Sequence, residues 1–451
     1  MKRLFIANRG EIAVRVIRAA QALNLETVVA VSDIDRDSMA ARMADRAVVL
    51  GPSPAAQSYL DPKLIVHAAR ESGCDALHPG YGFLSERSIL PRLCAANDIV
   101  FVGPEPDMID ALGDKLQARD LARRAGVPLV PGSDNIASPA DARREGNRIG
   151  YPVLIKAAAG GGGRGMVIAR NGDEAEDGFR RATAEAAAAF GDGTMFMERF
   201  VPQARHVEVQ LMGDGTGKVL HFGERDCSIQ RRYQKLLEEA PCVAMPDALR
   251  LQLHASAVAL AASVKYRNAA TAEYLFDVAR QEFYFIEVNA RIQVEHPVSE
   301  MISGVDLVQE QLRVAAGDGL SLGQDDIRLA GPAIECRINA EDATRDFLPS
   351  PGRIDRWVAP EGEGIRLDSH VGAGMMIPPY YDSMIGKLIV HDVDRPGAIA
   401  RLTDALDRFE IGGVPTTLDL HRRIVRHPDF IENRIHTRWL EQVLLAGGAA
   451  S

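Results

Sequence analysis

The segment Glu287-Val-Asn-Ala-Arg-Ile-Gln-Val-Glu-His296 constrains this chain more than any other. Its odd positions are polar (Glu287, Asn289, Arg291, Gln293, Glu295), and its even positions up to Val294 are apolar. In an extended chain successive side chains point to opposite faces, so the alternation predicts one strand face carrying carboxylates, amides and a fixed cation. The apolar run Phe283-Tyr-Phe-Ile286 precedes it. A buried strand that runs into a charged end is expected at the mouth of a catalytic cleft.

A second alternating segment, Ala272-Glu273-Tyr-Leu-Phe276, reads as the hairpin partner of residues 283–289. Glu273 and Glu287 on paired strands, with the amide oxygen of Asn289, would suit Mg²⁺ or Mn²⁺, which take hard oxygen ligands. The competing reading pairs both acids with arginines such as Arg291.

At 451 residues the chain is too long for one core, and two to four domains are expected. A net charge of −10 argues against generic binding to nucleic acid or anionic membrane. No apolar run approaches the roughly 18 residues of a membrane span. Met1-Lys-Arg3 leads directly into the strand-like Leu4–Ala7, so no signal peptide is expected. The five cysteines are scattered without a CxxC spacing, which suggests reduced thiols in a cytoplasmic setting.

Residues 4–7, 11–22 and 27–31 read as strand, helix and strand, the opening of a doubly wound α/β unit. Its first turn lacks G-x-G-x-x-G, which disfavours a dinucleotide site and a dehydrogenase. The stretch from Pro128 to Pro139 is expected as a boundary. A small unit follows to about residue 203, with strands at 152–156, 166–169 and 195–198. Mixed α/β character continues to 330, and the last region carries strands at 334–338, 365–368 and 387–390 with helices at 397–409 and 416–426.

Lys156-Ala-Ala-Ala-Gly160-Gly-Gly-Gly-Arg-Gly165 puts four consecutive glycines after a strand. Such a loop lets backbone N–H groups approach phosphate oxygens, and the flanking Lys156 and Arg164 favour a phosphate-covering flap over a plain surface loop. It is not a P-loop, because a strand follows and no Lys-Ser/Thr does. Lys115, at a helix start, is a candidate partner of Lys156. The strand end Glu198-Arg199-Phe200-Val201 offers a backbone edge for a purine and a carboxylate for ribose hydroxyls. His206 reads equally as ligand or as structural histidine. Gly223–Lys235 is dense in charge and is expected as a loop lining a cleft, where arginines and Lys235 would suit a phosphate or bicarbonate oxyanion.

Taken together, these residues resemble the ATP-grasp ligases, and closely the biotin carboxylases, over nearly the whole chain. The strings are Ala7–Ala13, His78–Glu86, the glycine flap, Arg231–Pro241, Glu287–Pro297, Glu335–Glu341 and Pro379–Lys387. The resemblance implies an α/β chain with a Rossmann-like N-terminal domain (1–113), an ATP-grasp domain (114–330) with a mobile lid at about 130–203, and a mixed α/β C-terminal domain (331–446). It implies ATP held by Lys115, Lys156, Gly161, Gly162, Gly163, Glu198, Arg199, Phe200, Val201, His206, Gln230, Tyr233 and Leu275. Glu273, Glu287 and Asn289 would bind two Mg²⁺ or Mn²⁺ ions. Lys235, Arg291 and Val294 would place bicarbonate, Glu295 would deprotonate it, and Arg337 would stabilise the biotin enolate.

By the same resemblance, biotin arrives on a separate carrier protein, since no Ala-Met-Lys-Met motif is present, and a separate carboxyltransferase uses the product. A homodimer is expected. Departures from the family pattern are Tyr233 in place of a frequent histidine, Ala159 for a flap glycine, a longer hairpin at 276–283, and Arg87–Leu90 for an Asn-rich stretch. A carboxylate–amine ligase of the same superfamily would not need Arg337, and a regulatory nucleotide-binding protein would not need the base and metal groups.

Overall fold

Apolar runs in the first hundred residues bury the inner strands on both faces, and they build the interior of a parallel sheet whose edge strand Arg46–Gly51 stays largely exposed. In the computed structural model, which describes residues 1–158 and 166–446, this sheet has five strands. They lie in the order Arg46–Gly51, Glu26–Ser32, Arg3–Ile6, Ala76–His78, Val100–Phe101, all parallel. Leu4 and Ile6 pack on Ile12 and Val16 of the helix Gly10–Ala22, while Phe5 and Leu77 pack on Ile65 and Ala69 of Pro62–Glu71 on the opposite face. The doubly wound opening is therefore as expected.

The small unit is a four-stranded antiparallel sheet in the order Gly132–Ile136, Met195–Arg199, Val153–Ala157, Met166–Ala169. Helices Pro139–Ile149 and Gly172–Phe190 cover it around a core of its own that includes Ile155, Met195 and Met197. The glycine loop between its last two strands, with Gly161, Gly162 and Gly163, lies outside the described residues.

The third sheet carries the site. Its eight strands lie in the order Glu282–Asn289, Arg267–Asp277, Ala204–Asp214, Val219–Arg231, Gln234–Ala240, Ala333–Asn339, Met384–His391, Ile365–Ser369. Hydrogen bonding runs unbroken past residue 330, because Gln234–Ala240 pairs with Ala333–Asn339. The charged run 223–235 is not a loop, as its composition suggested, but two strands joined by the turn Arg232-Tyr233. Both turn residues have left-handed φ, the pattern of a two-residue hairpin. The charges are tolerated in a sheet because neighbouring strands and helices neutralise them: Arg225 meets Glu208, Asp226 meets Arg205, and Glu224 meets Arg250.

The hairpin expected between 272–276 and 283–289 forms, with Glu273 opposite Glu287. Tyr274 pairs with Phe285, so Ile286 is an extra residue, a bulge. The bulge separates Phe283 and Phe285, which enter the core beside Tyr274 and Phe276, from Glu287, which would otherwise share their face. The single polar strand face expected for 287–295 does not form: the strand ends at Asn289 and the chain turns through 290–295 into the helix His296–Ser303. No helix among the described residues is long and apolar enough to cross a membrane.

Leu388, fully buried on Met384–His391 between Ala333–Asn339 and Ile365–Ser369, tests this continuity. Leu388→Ala is expected to lower the unfolding free energy by about 2–5 kcal/mol. In urea, fluorescence and circular dichroism should report one shared transition; a separate transition confined to the C-terminal region would contradict a continuous framework.

Candidate active site

Strands of the eight-stranded sheet and the turn after Asn289 bring buried ionisable groups together where bulk water cannot screen them. Lys235, on Gln234–Ala240, places its Nζ 2.5 Å from Glu208 Oε2, 2.6 Å from Glu295 Oε1 and 3.0 Å from Glu273 Oε1. Burial opposes its charge, yet Glu208, Glu273 and Glu295 hold its pKa well above the usual lysine range. Glu295 also accepts a 3.0 Å hydrogen bond from Arg337 Nη2, and Arg337 Nε donates to Glu238 at 2.6 Å. Burial would raise the pKa of Glu295, but Lys235, Arg337 and Arg225 together outweigh it, so the carboxylate sits below its usual range. It is ionised at neutral pH and can accept a proton.

A bulge makes this grouping possible. Gln230 pairs with Lys235, but Ile229 pairs with Leu237, so Leu236 is the extra residue. The slip puts Lys235 and Glu238, three apart in sequence, on the same sheet face.

Around Glu273 the polar groups are equally crowded. Its Oε1 accepts from Asn289 Nδ2 at 2.8 Å and Gln293 Nε2 at 2.9 Å, and its Oε2 lies 3.1 Å from His206 Nε2. Burial disfavours charge on His206, but Glu273 and Glu208 hold its pKa up to about 9. His206, Glu208 and Glu273 present donor atoms all within 4.8 Å of one another. Glu287 stands across from Glu273, and burial together with that neighbouring carboxylate raises its pKa. Lys235 and His206 hold Glu273 well below the usual carboxylate range, so the pair sets an ionised carboxylate beside one whose charge is disfavoured, a donor set a divalent cation relieves. Arg291 donates to Asn289 Oδ1 at 3.0 Å and lies 2.9 Å from Glu86. The Val294 carbonyl accepts from Lys387 Nζ at 2.7 Å.

The remaining candidates line the approach from the four-stranded unit. Lys156 Nζ lies 2.6 Å from Glu198 Oε2, and Arg119 engages the other carboxylate oxygen. Both oxygens of Glu198 are thus committed to cations within the protein. Burial lowers the pKa of Lys115, which feels Glu287 on one side and Lys156 and Glu198 on the other. It therefore bridges the two halves of the site. The Arg199 and Phe200 amides are used by Pro131 and Pro152, and Val201 is buried beside them. Leu275 lies opposite His206 in the sheet. Gln230 donates to the Cys227 carbonyl, and Tyr233 is 62% exposed on the hairpin turn.

Sequence reasoning gave no role to Glu208, Arg225, Gln293, Glu238, Arg119, Glu86 or Lys387. Arg225 is fully buried and donates to Glu208 (2.7 Å), Gln210 (2.8 Å), Ser299 (2.9 Å) and Gln293 (2.7 Å). The alternation His206-Val-Glu208-Val-Gln210 was the available signal, being a polar stripe in a core strand.

Removing one partner of a buried ion pair strands the other. Arg225→Met is expected to cost about 3–5 kcal/mol in urea unfolding, and adding Glu208→Gln should recover 1 kcal/mol or more. A strictly additive double variant would show that Arg225 does not neutralise Glu208.

Comparison with known proteins bears directly on this geometry. Residues 1–109, 114–322 and 335–442 match, in turn, the families described as biotin carboxylase N-terminal domain, carbamoyl-phosphate synthase L chain ATP-binding domain, and biotin carboxylase C-terminal domain. Biotin carboxylase 1 of Bacillus subtilis is 48% identical over 442 residues, 98% of each chain. A Campylobacter jejuni biotin carboxylase solved with a βγ-ATP ligand superposes with a TM-score of 0.93 at 44% identity, covering 98% of both chains. The biotin carboxylase domain dimer of Hydrogenobacter thermophilus 2-oxoglutarate carboxylase, solved with MgADP, ADP and bicarbonate, gives 0.91 at 45% identity, covering 98% of this chain and 97% of that one. With near-complete coverage in sequence and in structure, this chain belongs to the biotin carboxylase family of ATP-dependent ligases.

Proposed function

We propose that the chain carboxylates carrier-bound biotin with bicarbonate, driven by cleavage of ATP, and that the Lys235–Glu295–Arg337 array is where bicarbonate and biotin meet. The observation that carries this reading is the position of Glu295: an ionised carboxylate between Lys235 and Arg337, beside Arg291 and the Val294 backbone. Bicarbonate is a weak nucleophile, so a base must take its proton while cations hold it in line with the γ-phosphate. Glu295 is that base, Lys235, Arg291 and Val294 place the anion, and Arg337 stabilises the enolate of the ureido ring. Carboxyphosphate would form and break down behind the closed lid, which excludes water.

Lys115, Lys156 and His206 hold the nucleotide, with Gly161, Gly162 and Gly163 over the phosphates, and Glu198 fixes Lys156 as well as facing the ribose. Arg199, Phe200, Val201 and Leu275 border the adenine, with Gln230 and Tyr233 at the rim. Glu273, Glu287 and Asn289 fit one or two Mg²⁺ or Mn²⁺ ions; a metal bound there neutralises charge developing on the β- and γ-phosphates. The units 1–113, 114–330 and 331–446, with a lid at about 130–203, are the working parts of this scheme. The carrier and the carboxyltransferase would be separate chains. A homodimer is supported by the dimer in the Hydrogenobacter structure.

The test is ATP cleavage and carboxybiotin formation with Mg²⁺, bicarbonate and biotin omitted in turn. All should be required for carboxybiotin, and turnover needing an amine in place of biotin would overturn the reading. Glu295→Gln should leave nucleotide affinity nearly unchanged while carboxybiotin formation falls by a factor of about 10²–10⁴. A variant with wild-type turnover removes Glu295 from the base role.

A further inference from the structure

Behind Arg337 the sheet contains a pairing that sheets ordinarily avoid. Glu238 on Gln234–Ala240 and Glu335 on Ala333–Asn339 are directly opposite in register, and both are fully buried. Cross-strand partners have Cβ atoms about 4.5–5.5 Å apart, and like charges there repel. Counted as carboxylates, Glu238 Oε2 and both oxygens of Glu335 have no hydrogen-bond donor, while Glu238 Oε1 accepts from Arg337. A buried ionised carboxylate without a donor does not persist. We propose that Glu238 and Glu335 hold one proton between them, and that Glu238 is a positioning residue that aims Arg337 at the reacting centre.

This rests on the enolate-stabilising role of Arg337. The cations that face the pair are already committed. Arg337 is shared between Glu238 and Glu295, and Lys387 Nζ serves the Val294 carbonyl and lies 3.2 Å from Glu11. Lys235 serves Glu208, Glu273 and Glu295. His296, from the helix packed on these strands, is held neutral by burial. From the other face, Arg395 pairs with Glu239, and His421, which burial pushes down to about 4, contacts only the Arg337 carbonyl. The thiols of Cys227 and Cys336 are kept protonated by burial. Among the described residues no facing group is left to neutralise a second carboxylate.

The direction of titration agrees. Burial raises Glu238 to about 7 against the pull of Arg337, and raises Glu335 well above the carboxylate range against Lys387. The proton therefore resides mainly on Glu335 and is offered to Glu238. With the proton in place Arg337 faces Glu238 and Glu295; once it is lost, a third carboxylate competes with the enolate for the guanidinium. Because both folded-state values lie above those of the unfolded chain, this pair stabilises the fold fully at acid pH, and that contribution is lost as pH rises through about 7 and beyond.

Infrared difference spectroscopy of the whole enzyme, wild type minus Glu335→Gln at neutral pH, should show the carbonyl stretch of a protonated buried carboxyl. Glu238→Gln should shift that stretch, because its acceptor becomes an amide, which keeps the test open if Glu335→Gln does not fold. In carboxybiotin assays Glu335→Gln should move the alkaline decline of kcat to higher pH. Glu238→Gln should lower kcat for carboxybiotin by about tenfold to a hundredfold while moving the KM for ATP less than twofold or so. Absence of the carboxyl stretch, or an alkaline decline unmoved in Glu335→Gln, overturns the proposal. A wild-type enzyme that shows the stretch but makes no carboxybiotin would instead overturn the assigned function.

Discussion

The site depends on a lysine ammonium held by three glutamates. Lys235 is buried, and without Glu208, Glu273 and Glu295 within 3.0 Å its charge would not survive there. The dependence is mutual: these carboxylates come from different elements and would drive one another apart without the cation. Arg225 repeats the arrangement one layer deeper, tying Glu208 to Gln293 and Ser299 and thus the sheet to the segment that carries Glu295. At low effective dielectric such interactions are strong, and each group is fixed by several partners at once. Rigidity of this kind is what a site needs when its base and its cations must already be in place as substrate arrives.

Backbone register provides the geometry that charge alone cannot. A regular strand would put Phe283, Phe285 and Glu287 on one face, and would put Lys235 and Glu238 on opposite faces. The bulges at Ile286 and Leu236 undo both outcomes, sending the aromatic rings to the core and gathering the charged groups at the mouth. Each slip is one residue long and pairing resumes beyond it, with a second irregularity between Asp226 and Ile229 on the Leu236 ladder, so the sheet persists while the site gains its polarity.

Much of this was legible in the chain. The βαβ opening follows from apolar runs with no polar face, and the 273/287 hairpin follows from two alternating segments separated by a short turn-like stretch. Two features were not legible. The run 223–235 looked like a loop because its charge density defeats any amphipathic pattern; what stabilises Glu224, Arg225 and Asp226 in strands are Arg250, Glu208 and Arg205, which arrive from elsewhere in the chain. The shared face expected for 287–295 failed because alternation persists in sequence after the strand has ended, and nothing local marks Asn289 as its last residue. Glu208 and Glu238 escaped notice because a glutamate in a strand carries no motif until its partner is known.

Net charge is the consequence least visible in any one contact. The four glutamates around Lys235 and Arg337 (Glu208, Glu238, Glu273, Glu295) are countered by Lys235, Arg225, Arg337 and His206, so the protein half of the site is close to neutral before any substrate enters. A polyanionic triphosphate chain and a bicarbonate ion would add charge that this balance does not cover. Lys235 and Arg337 stay shared with the carboxylates when they face substrate, so they do not cover that added charge by themselves. On the proposed function, the deficit would be met by what lies at the edge of the array: Lys115 from the helix Lys115–Arg124, Lys156 from the four-stranded unit, Arg291 from the turn after Asn289, and divalent metal at Glu273 and Glu287. That division matches deep groups locked in mutual ion pairs, with Lys156 on a separately packed unit that has its own core and Lys115 on a helix that packs into the main core through Ala118 and Ala122. Interior charge fixes the chemistry, and peripheral charge can respond to the ligand.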